Sequence, residues 1–394
     1  MPATDDNFRG FGVQVPRDDR RKIPGLLADS NGALAAARAE CVGRVRSAHR
    51  SASWSRYRSA LGGRFGRHLG PLRLCRVGAR TGRFPAVYLR VILNPTAASG
   101  NAARRQAAIV RALTRAGSAP ELVHTRGPGD AGRLVREARR DGVECVVIVG
   151  GDGTLNDAVQ GYLEDDGSVA SGPDLALIPS GTGGDFRRSF GLSDSIEEAA
   201  QRLLTAEPRP LDLGLLSVTS HEGSLIRRAF INITSFGIGG LTDRIVNSSP
   251  KWIGGKAAFF LGTLRAMVAY TNAPVRVRVD GEVCLEAPIL NVALANGRYF
   301  GGGMLIAPDA DTGDGWLDVV ALHDLSRLQG VALAQHIYKG SHLGLPGVSV
   351  ARGKLVEAEA LMASTEVLVD MDGETPGRLP LRAELAPGAL RLRI

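Results

Sequence analysis

The stretch Val146-Val147-Ile148-Val149-Gly150-Gly151-Asp152-Gly153-Thr154-Leu155-Asn156-Asp157 decides how the chain reads. Four consecutive β-branched residues after Cys145 predict a strand buried on both faces. Three glycines within four positions then force a tight turn before a helical stretch resumes at about Leu155. Such a turn suits a polyphosphate. Glycines let backbone N–H groups approach the anion closely, and the helix that follows brings its partially positive N-terminus to the same point. Asp152, in the middle of the turn, can recruit a cation to the anion. The blander reading is a glycine turn that merely ends a core strand; the carboxylate and the Thr beside it weigh against that.

Upstream, Tyr88 to Leu93 reads as a strand running into Asn94-Pro95-Thr96-Ala97-Ala98-Ser99-Gly100, a polar loop. Ile109, Ala112, Leu113 and Ala116 then fall at helical spacing, with Arg104, Arg105, Arg111 and Arg115 largely off that face. Glu121 to Thr125 predicts a second strand, Asp130 to Arg140 a second helix and Val143 to Val149 the third strand. This β-α-β-α-β order implies a parallel sheet covered by helices. Ligands of such sheets gather at the carboxyl ends of the strands, where Asn94, Thr125 and the Gly150 to Thr154 turn all fall. A fourth strand, Asp174 to Ile178, ends in Pro179-Ser180-Gly181-Thr182-Gly183-Gly184-Asp185-Phe186 and repeats the logic of strand, small-residue loop, carboxylate and helix. A helix from about Ser193 to Leu204, capped by Ser193 or Asp194, precedes a boundary marked by Pro208 and Pro210.

From Leu211 the pattern changes to short alternating stretches: Leu211 to Val218, Ala229 to Thr234, Val275 to Val279, Ile289 to Ala295, Leu317 to Leu322, Leu355 to Leu361, Glu366 to Val369 and Leu390 to Ile394. They predict a mainly antiparallel β-sandwich. A helical interruption over about Lys256 to Tyr270 reads first as a core-packing helix. Its alternative is an acyl-cavity wall, with Lys251, Trp252 and Lys256 at membrane headgroups.

The 394 residues are too many for one ordinary core, and the charge divides them. Residues 1–86 hold 17 of the 48 Lys and Arg but only 6 of the 40 Asp and Glu, so the formal net charge of +8 belongs to this extension. It reads as a poorly ordered arm or, more sharply, as an electrostatic tether to an anionic surface. The expected division is thus 1–86 as basic extension, 87–210 as an α/β nucleotide domain and 211–394 as a sandwich whose C-terminal tail returns to the first domain. Cys41, Cys75, Cys145 and Cys284 are scattered without metal spacing, so reduced thiols and a cytoplasmic location are expected. An apolar run of secretory or membrane-spanning length is not seen.

Gly150-Gly151-Asp152-Gly153-Thr154, Gly181-Thr182 with Asp185, Asn296-Gly297 before Gly301-Gly302-Gly303, and Asp314-Gly315-Trp316-Leu317-Asp318 stand in an order that resembles the diacylglycerol kinase catalytic-domain superfamily. The whole is similar to the soluble bacterial lipid kinases, relatives of sphingosine and ceramide kinases, over about residues 87–394. The resemblance implies an α/β domain like that of NAD kinases and phosphofructokinases, followed by the sandwich. It implies ATP in the cleft between them, held by Asn94, Pro95, Thr96, Ser99, Gly100, Thr125, Gly150, Gly151, Asp152, Gly153, Thr154, Asn156, Gly181 and Thr182. It also implies a catalytic Mg²⁺ organised by Asp152, Asp185 and Asp212, and a structural Mg²⁺ at Asp311, Asp314 and the carbonyl of Trp316. Hard carboxylate oxygens suit that ion. Where the family usually has Asn before the aspartate of the Gly-Thr loop, this chain has Gly184.

A lipid hydroxyl attacking the γ-phosphate needs a base, and carboxylates commonly serve. Two triplets compete, Asp280-Gly281-Glu282 and Asp372-Gly373-Glu374, and each follows an alternating strand and reads equally well as a hairpin turn. The resemblance chooses the later one, Asp372 and Glu374, and leaves Asp280 as a turn. The expected partner is a lipid at the inner face of the membrane, reached by peripheral association; no nucleic acid is expected, and a homodimer is left open. The competing readings are a soluble-metabolite kinase of the NAD kinase kind and a non-catalytic scaffold whose basic arm binds nucleic acid or membrane.

Overall fold

Strands β1 (Leu89–Leu93), β2 (Glu121–His124), β3 (Cys145–Gly150) and β4 (Asp174–Pro179) lie parallel in the order β2-β1-β3-β4. The apolar run of β3 explains the layering, because its alternate side chains feed two cores. Val146 and Ile148 pack with Leu134, Val135 and Ala138 of helix α2 (Asp130–Arg140) and Leu155 of α3 (Asp152–Val159). Cys145, Val147 and Val149 pack on the other face with Ile109 and Leu113 of α1 (Ala97–Arg115) and Leu203 of α5 (Ile196–Thr205). Cys145 is a free thiol, and burial pushes it up to about 12. A short helix α4 (Asp185–Ser189) follows β4. The computed structural model describes residues 88–394 except 182–183, 248–261, 263–264, 267–268 and 363. The extension 1–86, Thr182, Lys251, Trp252 and most of the helix predicted over Lys256 to Tyr270 lie outside the described residues.

The second half is antiparallel: β5 (Arg209–Ser220), β6 (Leu225–Phe230), β7 (Ile233–Gly237), β8 (Ala273–Val279), β9 (Glu282–Ala295), β12 (Leu317–His323), β13 (Val348–Gly353), β14 (Leu355–Ala360), β15 (Leu368–Met371) and β16 (Glu374–Arg393), with a small β10 (Tyr299–Phe300) and β11 (Met304–Leu305) ribbon. Two long strands make the sandwich. β9 pairs with β8 along its first part and with β7 and β12 along its second, while β16 passes from β15 to β14 and β5. Strands that change partner at register shifts turn such corners. The last residues of β16 then lie parallel to β4, Leu392 opposite Leu175, so one sheet continues through both halves.

That junction is pinned electrostatically. The Asp174 carboxylate, buried in β4, accepts from Arg393 Nε at 2.7 Å and pairs with Arg391 at 2.5 Å. Removing one partner of a buried pair leaves charge uncompensated, so Arg393→Ala is expected to cost about 3 kcal/mol. A lower urea midpoint checks this; an unchanged midpoint would mean that Arg391 suffices.

Several sequence expectations need correction. Helix α1 begins at Ala97, so Ser99 and Gly100 belong to its first turn rather than to a loop, and α3 begins at Asp152 rather than Leu155. The cap of α5 is Ser195, whose hydroxyl accepts from Glu198 N at 3.3 Å. The single strand expected from Ala229 to Thr234 is two, β6 and β7, because the N–H groups at the break are engaged by an aspartate far away in sequence, described below. Helices α6 (Ile238–Asn247) and α7 (Arg327–Lys339) were not anticipated, although Ser326 and Gln329 form a capping box at the start of α7.

Candidate active site

The carboxyl ends of β1, β3 and β4 meet as the periodicity implies. Asn94 Nδ2 donates to Thr154 Oγ1 at 2.9 Å, and Asn94 Oδ1 accepts from Thr96 N and Thr96 Oγ1 at 3.1 and 2.9 Å. Thr125 N bonds Leu93 O, which brings the second strand end alongside. The glycines are required by contact. A Cβ on Gly150 would lie 2.5 Å from Thr154 Oγ1, and one on Gly181 would lie 2.5 Å from Gly151 Cα, so the two small-residue loops touch backbone to backbone. Asp152 is the first residue of α3, and its carboxylate accepts from Asp185 N at 2.9 Å and Phe186 N at 3.3 Å, locking one loop to the other. The opening N–H groups of α3 have no partner within the helix, which makes this end an anion cradle. Gly184 sits at φ 70°, ψ 40°, a left-handed position that Gly and Asn tolerate, which explains how one replaces the other.

Asp185 accepts from Gly302 N at 2.7 Å and pairs with Arg188; burial and the neighbouring Asp152 raise its carboxyl, against the pull of those donors. The Gly301 to Gly303 run therefore reaches the first half of the chain.

Across the cleft stands Asp372, at φ 50° in the turn joining β15 to β16. Its Oδ2 accepts from Asn156 Nδ2 at 2.9 Å and Ile231 N at 3.0 Å, and its Oδ1 from Asn232 N at 3.2 Å and Ile233 N at 2.9 Å. These are the N–H groups that interrupt the expected strand. Burial nevertheless dominates the donors and raises the carboxyl to about 6. The Glu374 carboxyl is also raised, first by burial and then by Asp157 and Asp372, with Arg228 opposing. Asn156, expected on the nucleotide, lines the cleft and gives its amide to Asp372, and so ties α3 to the second half.

The rival Asp280 has the same backbone, φ 50° followed by Gly281 at 89°, against Asp372 followed by Gly373 at 91°. Its surroundings differ. Among the described residues the exposed Asp280 carboxylate accepts only the backbone N–H groups of Lys354 and Leu355, both at 2.9 Å. One cleft is lined by Asn94, Pro95, Thr96, Thr125, Gly151, Asp152, Gly153, Thr154, Asn156, Gly181 and Asp185 on one side and by Asp370, Asp372 and Glu374 on the other; Asp280 is not among its lining residues.

The other acidic group lies elsewhere. Asp212, expected beside Asp152 and Asp185, is buried with Oδ2 on Gly315 N and Oδ1 on Gly388 N, each at 2.6 Å. Burial raises its carboxyl, and Asp314 and Asp311 raise it further, so it belongs with the Asp311 to Trp316 loop. There Asp311 accepts from Gly313 N, Asp314 accepts from Trp316 N and pairs with Arg352, and the Trp316 ring is flanked by Arg352 and Lys354 at 5.8 and 4.9 Å. The donor chemistry suits a hard cation, and Asp318 Oδ2 is buried without a partner. Arg352 pairs with Asp314, so a cation at this loop would have to displace the guanidinium.

With this geometry, comparison with known proteins is decisive. A family profile for the diacylglycerol kinase catalytic domain matches residues 88–216, and one for the YegS C-terminal NAD kinase beta sandwich-like domain matches residues 232–394. The chain is 30% identical over 305 residues, 76% of its length and 93% of the other, to the diacylglycerol kinase of Mycobacterium tuberculosis (strain ATCC 25618 / H37Rv). The chain belongs to the diacylglycerol kinase family. It is also 31% identical over 309 residues, 78% of this chain and 96% of the other, to the "Probable lipid kinase YegS-like" protein of Xanthomonas euvesicatoria pv. vesicatoria (strain 85-10). A crystal structure from Bacillus anthracis str. Sterne, provisionally named a diacylglycerol kinase, superposes with a TM-score of 0.64 at 25% identity, covering 80% of this chain and 98% of that one. The family accounts for both halves of the fold, the parallel α/β part and the sandwich.

Among the site residues, the Asn156 link and the approach of Gly302 were missed. The Gly301 to Gly303 run is legible as a motif, but nothing local says where it points. Among the described residues no helix is long and apolar enough to cross a membrane.

Proposed function

We propose that the chain is an ATP-dependent lipid kinase that transfers the γ-phosphate to the hydroxyl of a diacylglycerol-like or sphingoid-like lipid. The observation that carries this reading is that Asp372, with a carboxyl raised to about 6, lines the same cleft as the Gly151 to Thr154 turn. A base poised near neutral pH can take a hydroxyl proton without being so acidic that it refuses it. The freed oxygen attacks the γ-phosphorus as the bond to the bridging oxygen of ADP breaks, and the proton stays on Asp372 until the product leaves. The α3 amides and the Asn94 loop position the phosphates. Mg²⁺ entering with ATP would neutralise phosphate charge; Asp152 and Asp185, two neighbouring carboxylates lining the cleft, fit its preference for hard oxygens and retained waters. A substrate with acyl chains places the reaction at a membrane surface, so peripheral association belongs to the same proposal.

The test is transfer from γ-labelled ATP to diacylglycerol, monoacylglycerol, sphingosine, ceramide and NAD in mixed micelles. Label in a lipid supports the reading; label in NAD alone, or in none of them, overturns it. The pH dependence follows from the base. Only ionised Asp372 accepts the proton, so kcat/KM is expected to fall about tenfold per unit as pH drops below about 6 and to level out toward neutral pH. A profile flat through that region would exclude Asp372 as the base.

A further inference from the structure

Behind Asp372 lies a pair of acids that the transfer chemistry does not use. Helix α6 comes down on β15 at contact distance: a Cβ on Gly240 would lie 2.7 Å from the backbone of Leu368, and one on Gly239 2.7 Å from Ser235 Oγ. Only glycines allow so close an approach. Asp243, three and four residues further on, returns to the same helix face. There its carboxyl neighbours that of Asp370, each acting on the other. Asp370 is 6% exposed, and its other contacts define what it holds: Ser235 Oγ donates to Oδ2 at 3.0 Å and Gly373 N to Oδ1 at 2.9 Å. Gly373 is the second residue of the turn that aims Asp372.

Two neighbouring acids, one of them buried, with no cation beside them among the described residues, favour a proton held between them, since two like charges in one site oppose each other. We propose that Asp370 is a positioning residue for Asp372: sharing one proton with Asp243, it fixes the Gly373 amide while adding no charge beside the base. Burial first, and then Asp243, favour the protonated form of Asp370. The surrounding groups offer no substitute. From α6 the acid faces Asp243, while Arg244 turns outward to Glu366 at 3.3 Å; from β7 it meets the Ser235 hydroxyl, and from its own turn Asp372 and Glu374. Among the described residues no Lys or Arg pairs with either acid. Loss of the proton at high pH therefore brings three carboxylates together, loosens the turn and opposes ionisation of Asp372.

The proposal rests on reading Asp372 as the base, so its test includes a readout independent of activity. Infrared difference spectra of the full chain with ¹³C-labelled aspartate, wild type minus Asp370→Asn, should show one protonated carboxyl at neutral pH. In kinetics, Asp370→Ala is expected to lower kcat about tenfold with KM for ATP unchanged. Asp370→Asn, which mimics the protonated acid, should restore kcat to within about threefold and remove the fall in rate that the proposal expects of the wild type at high pH. A missing carboxyl band overturns the proposal and leaves the kinase reading standing. So does an Asn variant as impaired as Ala, or one that keeps the alkaline fall. A chain that transfers no phosphate to any lipid overturns the kinase reading, and the band still decides whether the pair holds its proton.

Discussion

Asp372→Asn is expected to reduce lipid phosphorylation by about 10³-fold, and Asp280→Asn to leave it within about twofold. The two turns have the same left-handed Asp and the same glycine after it, so a general effect of turn chemistry would strike both alike. What differs is the use of the carboxylate. At Asp280 it caps the exposed Lys354 and Leu355 N–H groups, which an amide oxygen does almost as well. At Asp372 both oxygens accept, one from Asn156 and Ile231 and the other from Asn232 and Ile233, so an amide must turn its NH₂ toward a donor. That adds a stability loss of about 1–3 kcal/mol to the loss of the base. ATP affinity by calorimetry separates the two effects, because a folded Asp372→Asn chain should still bind nucleotide. Equal loss of transfer from both variants would remove Asp372 from the chemistry.

How much of this was legible in the sequence depended on whether the cause was local. The parallel sheet followed from β-branched runs alternating with amphipathic helices, and the convergence of Asn94, Thr125 and the glycine turn followed from strand direction alone. What the chain concealed was contact across distance. The break between β6 and β7 falls inside a stretch that reads as one strand, Ala229 to Thr234, because its cause is a carboxylate some 140 positions later, as in Asn232 to Asp372. Asp212 looked like a third member of the Asp152 and Asp185 group, yet two backbone amides, of Gly315 and Gly388, draw it into the other acidic loop. Asp370 precedes Asp372 by two positions, the first in β15 and the second in the turn that follows it. Nothing in that spacing announced Asp243, which arrives on a helix that the sequence reading did not anticipate, through glycines whose purpose is visible only as a close approach.

Gly181→Ala is expected to raise KM for ATP about 100-fold, although the substituted residue carries no functional side chain. The added methyl would lie 2.5 Å from Gly151 Cα and 3.1 Å from Gly151 N, and these are backbone atoms rather than the end of a mobile side chain. The strands beneath cannot yield easily, since β3 and β4 are paired in register up to Gly150 and Pro179 and Ser180 N bonds Gly150 O at 2.9 Å. Relief must come from the turn itself, Gly151 to Thr154, whose amides are the proposed phosphate ligands; overpacking of this kind also costs about 1–3 kcal/mol. Gly153→Ala supplies the contrast. A Cβ there meets no atom within 4 Å, and the position lies in the first turn of α3, so Ala should stabilise the helix by about 1 kcal/mol. If Gly153→Ala raises Tm yet weakens ATP, the methyl occupies space that a phosphate needs and the protein does not. If Gly181→Ala binds ATP as wild type does, the loops yield after all, and their glycine contact is packing rather than part of the nucleotide cradle.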